Sequence, residues 1–201
     1  MTNNPFTTTV KNFENKIAEF FNSPYAIAVD SCTHGLELCL RYKQSNNITI
    51  PKKTYISVPM TAMILGLDWE WRDVNWQDYY YIGNTNIIDA AVLWKRNSYV
   101  PGTYMSLSFQ FKKHLSLGRG GAILLDNKDD YEYLKKMSYD GRDNSMPWAE
   151  QDISILGYHY YMTPETALMG LEKFEKVKDL PSTTWTQDFY PDLSKMSVFK
   201  K

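Results

Sequence analysis

Two adjacent lysines, a histidine and three glycines are concentrated in the stretch SFQFKKHLSLGRGG, residues 108–121. One apolar run, Tyr104 to Phe109, leads into it, and a second, Ala122 to Leu125, leads out. The pattern predicts strand, functional loop, strand. Glycine lets the backbone turn freely and approach a ligand closely. A lysine held in such a loop and walled by aromatics has its ammonium partly desolvated, which lowers its pKa toward the nucleophilic amine. That is the requirement for a Schiff-base lysine. Taken alone the stretch also reads as a basic surface hairpin, because Gly-x-Gly-Gly is a short motif.

Two further places carry chemistry. Tyr25 to Val29 reads as a strand, and Leu36, Leu38, Cys39 and Leu40 as part of a helix, with Ser31-Cys32-Thr33-His34-Gly35 between them. A strand that turns into a helix start presents free N–H groups and a positive dipole end, which suits phosphate. Thr33 adds a hydroxyl. The alternative is that Ser31 or Thr33 only caps the helix. The dipole also acts to lower the Cys32 thiol pKa, but no chemistry is assigned to it. Asp89 follows the short strand Asn86 to Ile88, at the strand end where ligands sit in α/β sheets; its alternative role is a cap for the next segment.

The elements that must position these residues alternate. Val10, Phe13, Ile17 and Phe20 predict a helix over residues 8–22, stopped by Ser23-Pro24. Strands are expected at Ile48 to Ile50, Trp69 to Val74, Tyr79 to Ile82 and Ala122 to Asp126. Helices are expected at residues 56–66, at Asp129 to Met137, and from Thr163-Pro164-Glu165 to about Val177. Residues 139–152 read as a long loop. The alternation predicts an α/β fold. With 201 residues there is enough chain for one sizeable core. A net charge of −1 without a basic block argues against nucleic acid or an anionic membrane as partner. Cys32 and Cys39 are too far apart along a helix for a disulfide, and no pattern suggests a metal. With a polar N-terminus and no apolar run of membrane length, a reducing cytoplasm is the expected compartment.

The order Ser108-Phe109-x-x-x-Lys113, then Gly118-x-Gly120-Gly121, resembles the DegT/DnrJ/StrS family. Its members are pyridoxal-phosphate (PLP) aminotransferases that act mostly on nucleotide-linked keto sugars. Four more landmarks fall in family order. Ser31-Cys32-Thr33-His34-Gly35-Leu36 resembles an early turn, Ile50-Pro51-x-x-Thr54-Tyr55 a Pro-x-x-Thr-aromatic segment, and Asp89-Ala90-Ala91 an Asp-Ala-Ala motif. Gly157 to Thr163 resembles Gly-Tyr-Asn-Tyr-Arg-Met-Thr. Together they span roughly residues 10 to 178.

The resemblance implies the large domain of a fold-type-I PLP enzyme: a mostly parallel sheet flanked by helices over residues 1–180, with 181–201 as a tail. It implies a short form without the smaller C-terminal domain that closes over the cofactor. Lys113 is the implied Schiff-base (internal aldimine) and catalytic residue. Lys112 is its neighbouring rival, but Lys113 lies five residues from both Ser108 and Gly118. Cys32, Thr33 and Ser108 are implied at the cofactor phosphate, Tyr55 over one ring face, and Asp89 at the pyridine nitrogen. Val92 stands where the family usually has His or Gln against the ring. His159 replaces an Asn that reaches the phosphate from a neighbouring subunit. His114, Arg119 (a slot often held by Glu) and Tyr161 (a slot held by Arg) are implied at the substrate. The implied reaction moves an amino group from a donor such as glutamate to a keto sugar nucleotide or similar carbonyl, in a homodimer with a shared active site. The alternative is a PLP-binding homologue without turnover of its own, or one dependent on a partner.

Overall fold

A computed structural model describes residues 4–200. A π-helical turn, Phe6–Val10, runs into helix α1, Lys11–Phe21, which buries Phe13, Ile17, Phe20 and Phe21 along one face. Asn22 ends it in the left-handed conformation. Strand β1, Tyr25–Val29, sends Ala26 and Ala28 to one face of the sheet and Ile27 and Val29 to the other. Helix α2, Cys32–Tyr42, follows at once. Next come β2, Ile48–Pro51, α3, Ser57–Ile64, and β3, Trp69–Arg72. The remaining elements are β4, Tyr80–Tyr81; β5, Ile87–Asp89; β6, Tyr104–Ser108; β7, Gly121–Leu125; α4, Lys128–Met137; and α5, Pro164–Val177.

The main sheet has the order β1-β7-β6-β5-β4, and among its pairings β5–β6 alone is parallel. The expectation of a mostly parallel sheet is therefore corrected: the sheet is mixed and mostly antiparallel. The connections give the reason. Parallel neighbours need a long crossover, whereas a direct return makes an antiparallel pair. The 109–120 loop returns β6 straight into β7, and the short turn after β4 does the same for β5. The β2–α3–β3 unit does cross over, and its two strands pair in parallel, but as a separate two-stranded sheet.

Helices cover both faces of the main sheet. On one face Phe13, Ile17 and Phe174 of α1 and α5 meet Met105, Leu107, Ala122 and Leu124. On the other, Leu36, Leu40, Leu134 and Met137 of α2 and α4 meet Ile27, Val29, Ile123 and Leu125. Strands β1, β5 and β6 point the same way, so their carboxyl ends share one edge with the start of β7; Gly121 pairs with both Val29 and Ser108. That edge carries the chemistry.

After α5 the chain folds back across the molecule in three 3-10 turns, Gln187–Phe189, Leu193–Lys195 and Ser197–Phe199. Leu193 is buried and its N–H donates to the Lys52 carbonyl (2.8 Å). Phe199 packs edge-on to Trp71 of β3, 5.5 Å between ring centroids. Among the described residues no helix is long and apolar enough to cross a membrane, and no group of His, Cys, Asp or Glu is placed to hold a metal ion. Cys32 and Cys39 are both free and buried.

Candidate active site

The shared strand edge opens into a cleft of about 160 Å³. One wall is the first turn of α2. Ser31 is its cap, accepting the His34 N–H at 3.2 Å, so Thr33 is left with another task. Its hydroxyl lies 2.8 Å from that of Ser57 at the start of α3, and both residues line the cleft. The N–H groups of the first helical residues have no acceptor within the helix. They and the two hydroxyls form a donor-rich corner suited to an anion. Gly121 seats this turn: a Cβ there would fall 2.6 Å from the Cys32 nitrogen and 2.8 Å from the Leu107 carbonyl oxygen. Glycine alone allows α2 to start this close to the sheet.

Asp89 forms the floor, 5% exposed. Burial raises its carboxyl pKa; three donors and a cation oppose this, first the Tyr80 hydroxyl at 2.6 Å, then the Ala91 N–H at 3.0 Å, the Lys113 charge and the Cys32 thiol. Tyr80 is buried too and is itself hydrogen-bonded to Thr54. The register explains the contact, since Tyr80 and Asp89 are partners across the β4–β5 hairpin. The Cys32 thiol points at the Ser106 carbonyl (3.4 Å). Burial and then the Asp89 charge push its pKa up, overriding the helix dipole.

Lys113 reaches the same cleft from the 109–120 loop. This loop is held as a hairpin by Phe109 N–H to the Gly120 carbonyl (2.8 Å) and Phe111 N–H to the Gly118 carbonyl (3.1 Å). Its return uses Gly118 and Gly120, at φ of 81° and 153°. Lys113 is half-buried, with its ammonium over the Trp185 ring, 5.4 Å from the centroid. Burial lowers its pKa, against the raising effect of Cys32 and Asp89. Lys112 is exposed and lies over Phe111 instead.

Cys32, Thr33, Tyr55, Asp89, Ser108, Lys113 and Arg119 thus line one cleft. Tyr55 is on the open side, 53% exposed. Arg119 sits at the rim, its guanidinium 2.7 Å from an Asp30 carboxylate oxygen. Val92 and His114 line a second, adjoining cleft that shares Ser108 and Lys113 with the first. His114 bonds the Val177 carbonyl (2.8 Å) and stacks on Trp94. His159 and Tyr161 line neither cleft. His159 pairs with Asp140 at 3.0 Å and with the Tyr161 hydroxyl, on a segment that bridges to Val29 at the edge of the sheet. Sequence reasoning passed over Ser57, Tyr80 and Trp185. Tyr80 could have been found from the β4–β5 turn that sets it opposite Asp89; nothing local to Trp185 points to Lys113.

The model of the DegT/DnrJ/EryC1/StrS aminotransferase family matches residues 4–100 and 100–184. The chain belongs to this family. Among solved structures, the fold of this DegT-family chain is similar to that of AtS13 from Actinomadura melliaura, with 21% identity, TM-score 0.75, and coverage of 85% of this chain and 60% of that one. It is similar to the sugar aminotransferase CalS13 from Micromonospora echinospora (16%, TM-score 0.73, 86% and 62% covered). It is also similar to Spr1654 from Streptococcus pneumoniae, solved in a PLP form (16%, TM-score 0.68, 88% and 65% covered). The chain therefore spans roughly three fifths of the length of these structures. No curated protein matches it.

Proposed function

We propose that the cleft binds PLP and that the chain is an aminotransferase, passing an amino group from a donor such as glutamate to a keto sugar nucleotide or similar carbonyl. One observation carries the reading: a half-buried lysine of lowered pKa and a buried carboxylate open onto the same cleft as a helix N-terminus rimmed with hydroxyls. The donor set fits the cofactor. The first-turn N–H groups with Thr33, Ser57 and Ser108 suit its phosphate. Tyr55 can cover a ring face, and Val92 adds an apolar edge. Asp89 has donors on both oxygens, yet a carboxylate has lone pairs enough for one more, the protonated ring nitrogen. Bound PLP would supply the electron sink for carbanion chemistry. Lys113 contributes the amine that attaches it, then moves a proton at the substrate carbon. His114 and Arg119 stand closest to a substrate role, Arg119 as a cation at the cleft mouth.

The test is covalent trapping. Purified protein is incubated with PLP, reduced with borohydride and mapped by peptide mass. A label on Lys113, lost in Lys113→Ala and kept in Lys112→Ala, is the expected result; a label elsewhere sinks the assignment. Release of the keto acid from glutamate then separates an aminotransferase from a homologue that only holds the cofactor.

The proposal extends to a dimer. His159 and Tyr161 sit outside their own chain's clefts, and the long loop before them exposes Met146, Trp148, Ile153 and Leu156. A second copy covering this surface would bring the 157–162 segment to its neighbour's cleft. Mixing inactive Lys113→Ala and His159→Ala proteins should restore turnover, because one intact site forms in each mixed dimer.

A further inference from the structure

Strand β1 ends the main sheet, so its outward N–H groups need cover. Glu14 of α1 supplies some: its Oε1 accepts the Ala28 N–H at 2.8 Å and pairs with Lys135 of α4. The other oxygen, Oε2, is buried without a donor, in a residue only 1% exposed. A buried carboxylate oxygen left unpaired costs free energy and calls for a partner. Glu14 lines a groove of about 410 Å³ between α1, α4 and residues 142–144, room for a small molecule and not merely a water. Three cations line the same groove with capacity to spare. Lys11 donates to the Tyr131 hydroxyl (2.9 Å) and, like the exposed Lys136, forms no ion pair among the described residues. Arg142 gives one nitrogen to Asp140 (2.9 Å), but its Nε is buried without an acceptor. The remaining carboxylates of the groove are occupied. Asp143 accepts from the Ser145 N–H and hydroxyl, at 2.8 and 2.6 Å, and Glu132 faces Lys128 at 3.6 Å. The unmet needs are thus a donor for Glu14 and an anion for three cations. A neutral hydroxyl suits Glu14 better than an ammonium, which Lys135 would repel, and three cations suit a dianion better than a single charge. The groove shares no lining residue with either cleft.

We propose that this groove is a binding site for a small phosphorylated alcohol, its phosphate on Lys11, Lys136 and Arg142 and a free hydroxyl donating to Glu14 Oε2. The site is independent of the reading of Lys113. The probe is glycerol 3-phosphate, and the readout is protection of Lys136 and Lys11 from trace acetylation, mapped by peptide mass. This reads the groove alone, whatever binds at the α2 corner. Saturable protection is expected, with Lys195 of the C-terminal segment unaffected. Inorganic phosphate, which offers no separate hydroxyl, should protect several-fold more weakly. Glycerate, with the hydroxyls but a single charge, should also protect more weakly. Glu14→Gln keeps an acceptor for the Ala28 N–H but turns an amide N–H toward the hydroxyl, so the preference for the ester over phosphate should disappear. Lys136→Gln should weaken both ligands about tenfold, read at Lys11, the loss of one charge-assisted contact. Glu14→Gln also strips Lys135 of its partner; if that variant does not fold, the exposed Lys136→Gln and the ester-to-phosphate ratio in the parent protein decide the matter. No saturable protection, equal protection by phosphate or by glycerate, an ester preference that survives Glu14→Gln, or affinities unmoved by Lys136→Gln would overturn the proposal.

Discussion

At Asp89 the balance of burial against donors is visible atom by atom. A carboxyl whose folded pKa lies above its ordinary 3.8 binds protons more readily when folded. Its ionisation therefore costs stability as pH rises through that window, and the cost is complete above the folded pKa. Tyr80 opposes the shift by donating to Oδ2. Tyr80→Phe removes that donor, and Asp89 should then titrate at higher pH. Urea unfolding at a pH where folded Asp89 is ionised should show a loss of about 1.5–3 kcal/mol, the range for a hydrogen bond to a buried charged group. The loss should shrink in acid, below the ordinary carboxyl value, where Asp89 is neutral in both states. An equal loss at both pH values would mean that Tyr80 only fills space. The same variant tests the site, since the cofactor's ring nitrogen needs an ionised partner.

At the scale of elements, the start of α2 is held by what Gly121 lacks. A methyl group there meets backbone atoms of Ser31 and Cys32, which have no rotamer by which to move aside. Gly121→Ala should lower stability by about 1–3 kcal/mol, as overpacking does, and weaken inorganic phosphate binding at the α2 corner. Gly170→Ala is the matched comparison. Its Cβ would fall 2.5 Å from Phe13 where α5 crosses α1, so a similar stability loss is expected with phosphate affinity intact. Equal phosphate affinity in both variants would show that the helix start is not the anion corner. These elements were legible because each has a local cause. The 3.6-residue period marked α1, Ser31 and Thr163 with Pro164 marked helix starts, and a glycine-rich return marked the β6–β7 loop. Strand order was not legible, because it is set by which strands pair after the chain has turned. The family's parallel arrangement was therefore carried over to a chain whose direct returns make antiparallel neighbours. The residues of the candidate cleft were legible where a motif fixes them in sequence, as for Lys113 and Asp89, which line it together. Ser57 and Tyr80 act across elements and leave little local trace.

Residues 181–200, which the family resemblance gave only as a tail, pack back across the molecule. Their anchors include Leu193, Phe199 and Trp185, whose carbonyl accepts the Asp78 N–H and whose own N–H donates to the Asp78 carboxylate. Sequence alone had no means of placing them, since each fits a surface built from β2, β3 and β4, far away along the chain. Their position ties the fold to the site. A two-stranded sheet such as β2–β3 is marginal without cover, and the same segment lays Trp185 over Lys113. Burial is the main cause of the lowered lysine pKa, so docking of the segment and reactivity of the amine are linked. The sign follows from proton binding: below the lowered folded pKa, docking must bury a charged ammonium. That cost falls away as pH rises toward the ordinary 10.5, where the undocked lysine also loses its proton. Docking should therefore tighten with pH across this window. Leu193→Ala deletes a side chain that is 1% exposed, at a cost of about 2–5 kcal/mol if the gap does not collapse. Limited proteolysis should then cut within residues 181–200 faster than in the parent protein. The pH midpoint of Lys113 labelling by an amine-reactive probe should move up, toward that of an ordinary lysine. Faster cleavage with an unmoved labelling midpoint would separate the two roles, leaving the segment as a cover for β2–β3 and assigning the lysine's lowered pKa to the 109–120 loop alone.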